Sequence, residues 1–295
     1  MRIDLHTHSD RSDGTDTPAE LVRNAADAGI DVLAITDHDT TAGWDEAADV
    51  ARASGVRLVR GIEISTRYAG HGVHLLAYLP DPAHPGLVAE LDRVLEGRDN
   101  RLPGILAKLA ALDIHLAAED VRRLAGDAAA LGRPHVADAL VEAGVVTSRD
   151  QAFAELLGPG GPAYVDRYAA DLVTMLRTVA DAGGVSVIAH PWASRHEHRA
   201  LGPEGLETLR GHGLAGVEVD HEDHDAATRE RLRAVAAELD LVVTGSSDYH
   251  GTGKAGHRLG CNTTDPEELE RLLELAARAA EASGRACPGV VAVRD

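Results

Sequence analysis

Short apolar runs that lead into a His, Asp or Glu recur along this chain and alternate with helical patterns, and few folds accommodate that. Residues 3–5 lead into Asp4-Leu5-His6-Thr7-His8, and residues 32–36 (VLAIT) into Asp37-His38-Asp39. Residues 58–64 carry Glu63, 73–78 carry His74, and 185–189 (VSVIA) end at His190-Pro191. Residues 216–219 and 241–244 follow, the latter leading into Ser246-Ser247-Asp248-Tyr249-His250. The segments between them read as amphipathic helices. The first has a capping-box start at Thr17-Pro18-Ala19-Glu20 and a stop at Gly29. Strand–helix alternation of this kind specifies an α/β fold, a parallel sheet or a (β/α) barrel. Only eight residues separate Ile64 from Val73, too few for a crossover helix. The expected fold is therefore a distorted seven-stranded (β/α)7 barrel rather than a regular eight-fold one. The apolar tail 290–293 is left outside that strand count.

From Pro80-Asp81-Pro82 to about Tyr164 the pattern is helical throughout, and Gly158-Pro159-Gly160-Gly161-Pro162 is a stiff exit. The expected organisation is a barrel from residues 1–80 and 165–295, interrupted by an inserted helical substrate-binding subdomain at 81–164. Aromatics supply 3% of a chain that is 44% hydrophobic, so the core must be aliphatic. A net charge of −19 argues against coating long duplex nucleic acid. Two cysteines give no disulfide framework. With no apolar leader and no run of membrane-spanning length, the sequence reads as a soluble cytoplasmic protein without a membrane partner.

In β/α barrels the active site lies at the C-terminal ends of the strands. His6 and His8, two residues apart on a strand, would point to one face. Asp13, His38, Glu63, His74, His190, Asp248 and His250 would reach the same mouth. Each has an ordinary reading alone: Asp37 beside them as a helix cap, His74 as a satisfied core residue, His190 as punctuation before proline. Together they read as a metal cluster. Imidazole with carboxylate and no thiolate suits Mn²⁺, Fe²⁺ or Zn²⁺, and nine candidates imply two or three divalent ions.

The pieces D-L-H-T-H, I-T-D-H-D, G-I-E, V-H-L-L, A-H-P and S-D-Y-H, in this order over residues 4–250, resemble the PHP (polymerase and histidinol phosphatase) family of metal-dependent phosphoesterases. The resemblance implies that His6, His8, Glu63 and Asp248 hold one metal. Glu63 would bridge to a second with His74 and His190, and Asp13, His38 and His250 would hold a third, with Asp10 the alternative to Asp13. Gly132-Arg133-Pro134-His135 resembles a segment of PHP proteins that hydrolyse nucleoside 3′,5′-bisphosphates and trim short oligonucleotides from the 5′ end. Arg133 at a helix N-terminus suits phosphate, Arg167 offers a second clamp, and His135 is a further substrate-side candidate.

The implied reaction is attack of a metal-bound hydroxide on a phosphate ester. A metal-bound water, Asp39 or His135 would protonate the leaving group. The substrate would be a nucleoside 3′,5′-bisphosphate losing its 3′-phosphate, or a short single-stranded oligonucleotide releasing 5′-mononucleotides. A histidinol-phosphate-like phosphatase, a cyclic-phosphate diesterase and a metal-dependent amidohydrolase are the alternatives. Lys254, His196, His198, His221 and His224 are expected mostly in solvent, with Asp220 and His221 as lesser substrate-side candidates.

Overall fold

The computed structural model describes residues 1–193 and 200–292. His196, His198 and the last residue of the tail 290–293 lie outside the described residues. The strands are β1 (Ile3–Asp4), β2 (Val32–Ile35), β3 (Arg57–Tyr68), β4 (His71–Tyr78), β5 (Ala170–Asp171), β6 (Val185–Ile188), β7 (Gly216–Asp220) and β8 (Val242–Gly245). Seven of them follow one path, β1-β2-β3-β4-β6-β7-β8. The path nearly closes on itself. Thr7, just beyond β1, pairs in parallel with Tyr249 beyond β8, and the His8 N–H donates to the Tyr249 carbonyl at 2.9 Å.

The short connection after β3 has the expected consequence. β4 runs antiparallel to both β3 and β6, while the other neighbours on the path are parallel. That reversal places His74, near the start of β4, opposite Ser65, near the end of β3. Residues 170–171 form an eighth short strand that the sequence reading does not include, β5, pairing with Thr66–Arg67. In the described part of the tail, Val291 forms an isolated bridge to Leu58.

Period-two alternation sorts the strand residues. Leu33, Ile35, Leu58, Ile62, Ile188 and Val217 pack outward against α1 (Pro18–Asp27), α2 (Trp44–Ser54) and α8 (Leu172–Asp181). Val32, Ala34, Val59, Leu76, Val187 and Val242 fill the barrel with Leu269 and Leu272 of α11 (Pro266–Ser283). Truncating a fully buried Leu such as Leu33 to Ala would cost about 2–5 kcal/mol. Between β4 and β5 the described chain is helical: α3 (Pro85–Asp99), α4 (Leu102–Ala110), α5 (Ala118–Ala125), α6 (Arg133–Glu142) and α7 (Arg149–Ala152), the last running into a π-turn at Phe153–Leu157. Leu87, Leu91 and Val94 of α3 belong to the barrel's outer core. From Leu102 onward the insert has its own core, built on Ile105, Leu109, Val136 and Leu140. The packing boundary therefore falls between α3 and α4, inside the expected insert.

Candidate metal centre

His6 and His8 leave β1 with their rings converging, Nε2 to Nε2 at 3.0 Å. Glu63 Oε2 lies 3.3 Å from His6 Nε2 and 3.2 Å from His8 Nε2. Asp248 Oδ1 lies 3.5 Å and 3.4 Å from the same two nitrogens. Four ligands each ~2.1 Å from a tetrahedral ion stand about 3.4 Å apart, so this set fits one. The other Glu63 oxygen, Oε1, is 2.8 Å from His74 Nδ1 and 3.3 Å from His190 Nε2. Asp13 lies 3.6 Å from His38 Nε2 and 3.4 Å from His250 Nε2. His38 Nδ1 faces Glu63 Oε2 at 3.0 Å, which joins the two halves. His38 Nδ1 and His74 Nδ1 approach Glu63 without hydrogen-bond geometry, and Asp13 Oδ1 likewise makes no hydrogen bond, as buried atoms meant for an ion would be. All nine residues singled out in the sequence thus meet at one mouth, which lines a cavity of about 370 Å³.

Electrostatics follows the same geometry. Burial alone would protonate Glu63, but His38, His74 and His6 hold its carboxyl well below the ordinary range. Burial would likewise discharge His6; Glu63, Glu218 and Asp248 overcome that and raise it well above the ordinary value. His8 and His190 are raised to about 9, each against the effect of burial, by hydrogen bonds and charge from the facing carboxylates. His38 is pushed down to about 3, chiefly by burial. An ion drawn into this acidic pocket would displace the imidazole protons.

The supporting role of Glu218 does not show in the sequence, and Asp37 reads there only as an ordinary helix cap, whereas the following helix is capped at Gly43. Glu218, in the middle of β7, is fully buried and accepts from His6 Nδ1 at 3.2 Å, from the His190 N–H at 2.9 Å and from the Ser246 hydroxyl. Its one sequence signal is a carboxylate inside an apolar strand. Asp37 braces the first loop, accepting from the Ser9 N–H and from the Ser9 and Ser12 hydroxyls.

Other expectations are corrected. Asp39 is no proton donor. It is fully buried, paired with Arg98 at 2.8 Å and bonded by the Ser65 N–H and hydroxyl; burial acts to raise its pKa, and Arg98, Arg167, His38 and the Ser65 N–H together hold it below the ordinary value. His135 is no acid either, and neither ring nitrogen is free for substrate. Nδ1 accepts from the Gly132 N–H at 3.0 Å and Nε2 donates to the Ser12 carbonyl at 2.9 Å, tying α6 to the first loop. Lys254, His221 and His224 are not solvated. Lys254 Nζ lies 2.5 Å from Asp248 Oδ2, and both histidines are buried. Asp220 points away, into an ion pair with Arg233.

Arg133 opens α6 as expected, its guanidinium donating to the Leu157 carbonyl at 3.0 Å and lying over the Phe153 and Tyr164 rings. Arg167 donates to the Tyr168 carbonyl at 2.8 Å. Near both is Arg101, 5% exposed, whose Nε has no partner. Among the described residues no carboxylate stands within ion-pair distance of any of these three. Burial and the neighbouring guanidinium groups lower Arg101 to about 9 and Arg167 to about 10. Arg98, paired with Asp39, lies alongside.

A nearly closed seven-stranded barrel whose mouth gathers His, Asp and Glu in metal-ligand spacing defines a metal-dependent hydrolase of phosphate esters. The PHP domain pattern matches residues 4–110. A 3′,5′-nucleoside bisphosphate phosphatase of Chromobacterium violaceum is 34% identical over 259 residues, 88% of this chain and 90% of that one. A 5′-3′ exoribonuclease of Haemophilus influenzae is 36% identical, over 84% of this chain and 90% of its own. A crystal structure from Bifidobacterium adolescentis, described provisionally as a metal-dependent phosphoesterase, superposes with a TM-score of 0.87 at 37% identity, covering 92% of this chain and 95% of the other. The chain belongs to the PHP family. Among the described residues no helix is long and apolar enough to cross a membrane.

Proposed function

We propose that this enzyme hydrolyses nucleoside 3′,5′-bisphosphates, removing the 3′-phosphate to leave the 5′-monophosphate, and that it releases 5′-mononucleotides from short oligonucleotides. The observation that carries this reading is the trio Arg101, Arg133 and Arg167, which gathers around Arg98 and its partner Asp39, next to His38 in the chain. Arg101 is buried and Arg133 and Arg167 are half-buried; a buried cation without counter-charge is costly, several kcal/mol per ion after relaxation, unless a ligand supplies the anion. A phosphate held there would be the one that is not cleaved, and a guanidinium fork matches its oxygens. A monophosphate has no group for this pocket. The names of the Chromobacterium and Haemophilus relatives agree with both halves of the proposal.

In this reading His6, His8, Glu63 and Asp248 hold one divalent ion, Glu63 reaches a second with His74 and His190, and Asp13, His38 and His250 hold a third. Bound there, Mn²⁺, Fe²⁺ or Zn²⁺ would supply Lewis-acid charge and an acidified water. The chain's own part is to bind and orient. Glu63 fixes the spacing between the halves of the cluster, and the arginines anchor the far phosphate. Phe153 and Pro134 line the cavity over the cluster.

The test is Arg133→Ala, assayed for phosphate release from adenosine 3′,5′-bisphosphate and from a simple monophosphate. A loss confined to the bisphosphate is expected; equal losses, or none, would overturn the second-phosphate role. A relative from Eggerthella lenta, 33% identical over 87% of this chain and 97% of its own, is named a phosphoribosyl 1,2-cyclic phosphate 1,2-diphosphodiesterase. A cyclic phosphate therefore belongs in the same assay, as does histidinol phosphate.

A further inference from the structure

Behind Asp248 lies a group of side chains that the nine-residue cluster does not use. His221, Asp248 and His257 offer atoms within 4.8 Å of one another, a spacing that would suit a further metal. The hydrogen bonds say otherwise. His221 is fully buried, and its Nδ1 accepts the backbone N–H of Asp223 at 3.2 Å. An imidazole that accepts at Nδ1 carries its proton on Nε2. That nitrogen lies 3.2 Å from Asp248 Oδ2, so His221 donates there and has no lone pair left for an ion. His257 is set the opposite way. Its Nδ1 donates to the Ser247 carbonyl at 2.7 Å, leaving Nε2 as an acceptor 3.8 Å from Asp223 Oδ1. The positive charge this corner requires is already present: Lys254 Nζ lies 2.5 Å from Asp248 Oδ2 and 3.7 Å from Asp223 Oδ2.

The two oxygens of Asp248 are thereby given separate tasks. Oδ2 takes two donors from the chain, and Oδ1 faces the Nε2 atoms of His6 and His8 at 3.5 Å and 3.4 Å. We infer that His221 and Lys254 are positioning residues, which hold the outer oxygen of Asp248 so that only its inner oxygen is offered to the metal shared with His6 and His8. The inference rests on the metal assignment proposed above and adds two residues to it. Partners of this kind fix the orientation and basicity of a ligand, and losing one weakens metal binding about 10- to 100-fold. A lysine already on Oδ2 also keeps a further divalent ion out of this corner.

The experiment is a Mn²⁺ titration of metal-free protein, following the free-ion resonance signal, for wild type, His221→Ala, His221→Gln and Lys254→Met. Thermal unfolding without metal checks that each variant is folded. The Gln side-chain amide can donate from nearly the place of Nε2. In His221→Ala one binding step should weaken by about 10- to 100-fold while the others hold, and His221→Gln should restore most of it. Lys254→Met should weaken the same step. Unchanged binding in folded His221→Ala overturns the inference. So does an equal weakening of every step, or a folded His221→Gln as weak as the Ala variant. An extra Mn²⁺ bound by Lys254→Met would show a vacant metal site in place of a positioning pair. If wild type itself binds no Mn²⁺, the metal assignment falls first.

Discussion

Glu218 grips His6 from behind: its Oε1 lies 3.2 Å from His6 Nδ1, on the side of the ring opposite the 3.0 Å approach to His8 Nε2. Fixing the proton on Nδ1 leaves Nε2 as the lone-pair nitrogen that faces the cluster. Glu218→Gln keeps an acceptor in place but removes the charge, and should weaken metal affinity by about tenfold with little change in fold. Glu218→Leu strands the His190 N–H and the Ser246 hydroxyl as well. Leaving those buried donors unpaired should cost about 1–3 kcal/mol each in urea unfolding. Equal metal affinity in wild type and Glu218→Gln would show that the grip is only structural.

Glu63 contacts both halves of the cluster, His6, His8 and His38 through Oε2 and His74 and His190 through Oε1. Glu63→Gln and His190→Ala should therefore differ in kind. The first should lower metal content across more than one site, the second at one. Elemental analysis of protein purified in parallel with wild type is the measurement, and unchanged content in Glu63→Gln would sink the ligand assignment.

These pairings show where sequence reading reaches and where it stops. His6 and His8 converge because residues two apart leave an extended segment on the same side, which is local geometry. Glu63 and His190 were found because each lies near the C-terminal end of a short apolar run, whereas His74 is near the start of its run and reaches the mouth because β4 is antiparallel. Even the antiparallel β4 was foreshadowed by an eight-residue connection. Glu218 is different. Its partner is 212 residues away, and the pairing of β7 with β8, with the closure of β8 on β1 at Thr7–Tyr249, brings it under His6. Lys254 lies in a glycine-rich loop that looks solvent-exposed until the 3₁₀ turn at Gly251–Gly253 folds it back onto Asp248. His135 and Asp39 carry side chains suited to proton transfer, and nothing local reveals that backbone groups or Arg98 already occupy them.

Metal loading should depend on pH with a definite sign. The carboxylates hold His8 and His190 at about 9, so both imidazoles carry protons near neutrality in the metal-free protein. Binding must displace those protons, and affinity should rise with pH until about 9. Calorimetry near pH 7 in two buffers of different ionisation heat should show net proton release; no dependence on buffer would contradict it. The metal-free fold should behave oppositely. A histidine raised above its unfolded value of 6.5 stabilises the fold fully below that pH, and the contribution disappears as pH rises through about 9.

Arg101 makes stability and function pull apart. Its buried, unpartnered Nε is a cost to the free protein. Arg101→Met, of similar length and apolar, should raise the unfolding midpoint of the ligand-free enzyme. The same change should remove a charge-assisted contact of about 1.5–3 kcal/mol from the bisphosphate complex, roughly a 10- to 150-fold loss in kcat/KM. A variant that is both less stable and fully active would mean that Arg101 meets no substrate phosphate.

Asp39 and Arg98 form the buried ion pair that joins the mouth to α3, and removing one partner leaves the other charged and dry. Asp39→Asn should cost about 3–5 kcal/mol at pH 7. Burial acts to raise the Asp39 pKa, but Arg98 and the Ser65 hydrogen bonds bring it below the ordinary 3.8. Its contribution is therefore present above that value and fades as pH falls through the lower folded-state pKa. The stability gap between wild type and Asp39→Asn should narrow in strongly acidic buffer, as followed by urea unfolding at matched pH. Replacing Arg98 by Met in the Asn background should recover part of the loss, because the stranded cation goes too. A proton donor at Asp39 would give another result: Asp39→Asn would abolish turnover while leaving the unfolding curve in place.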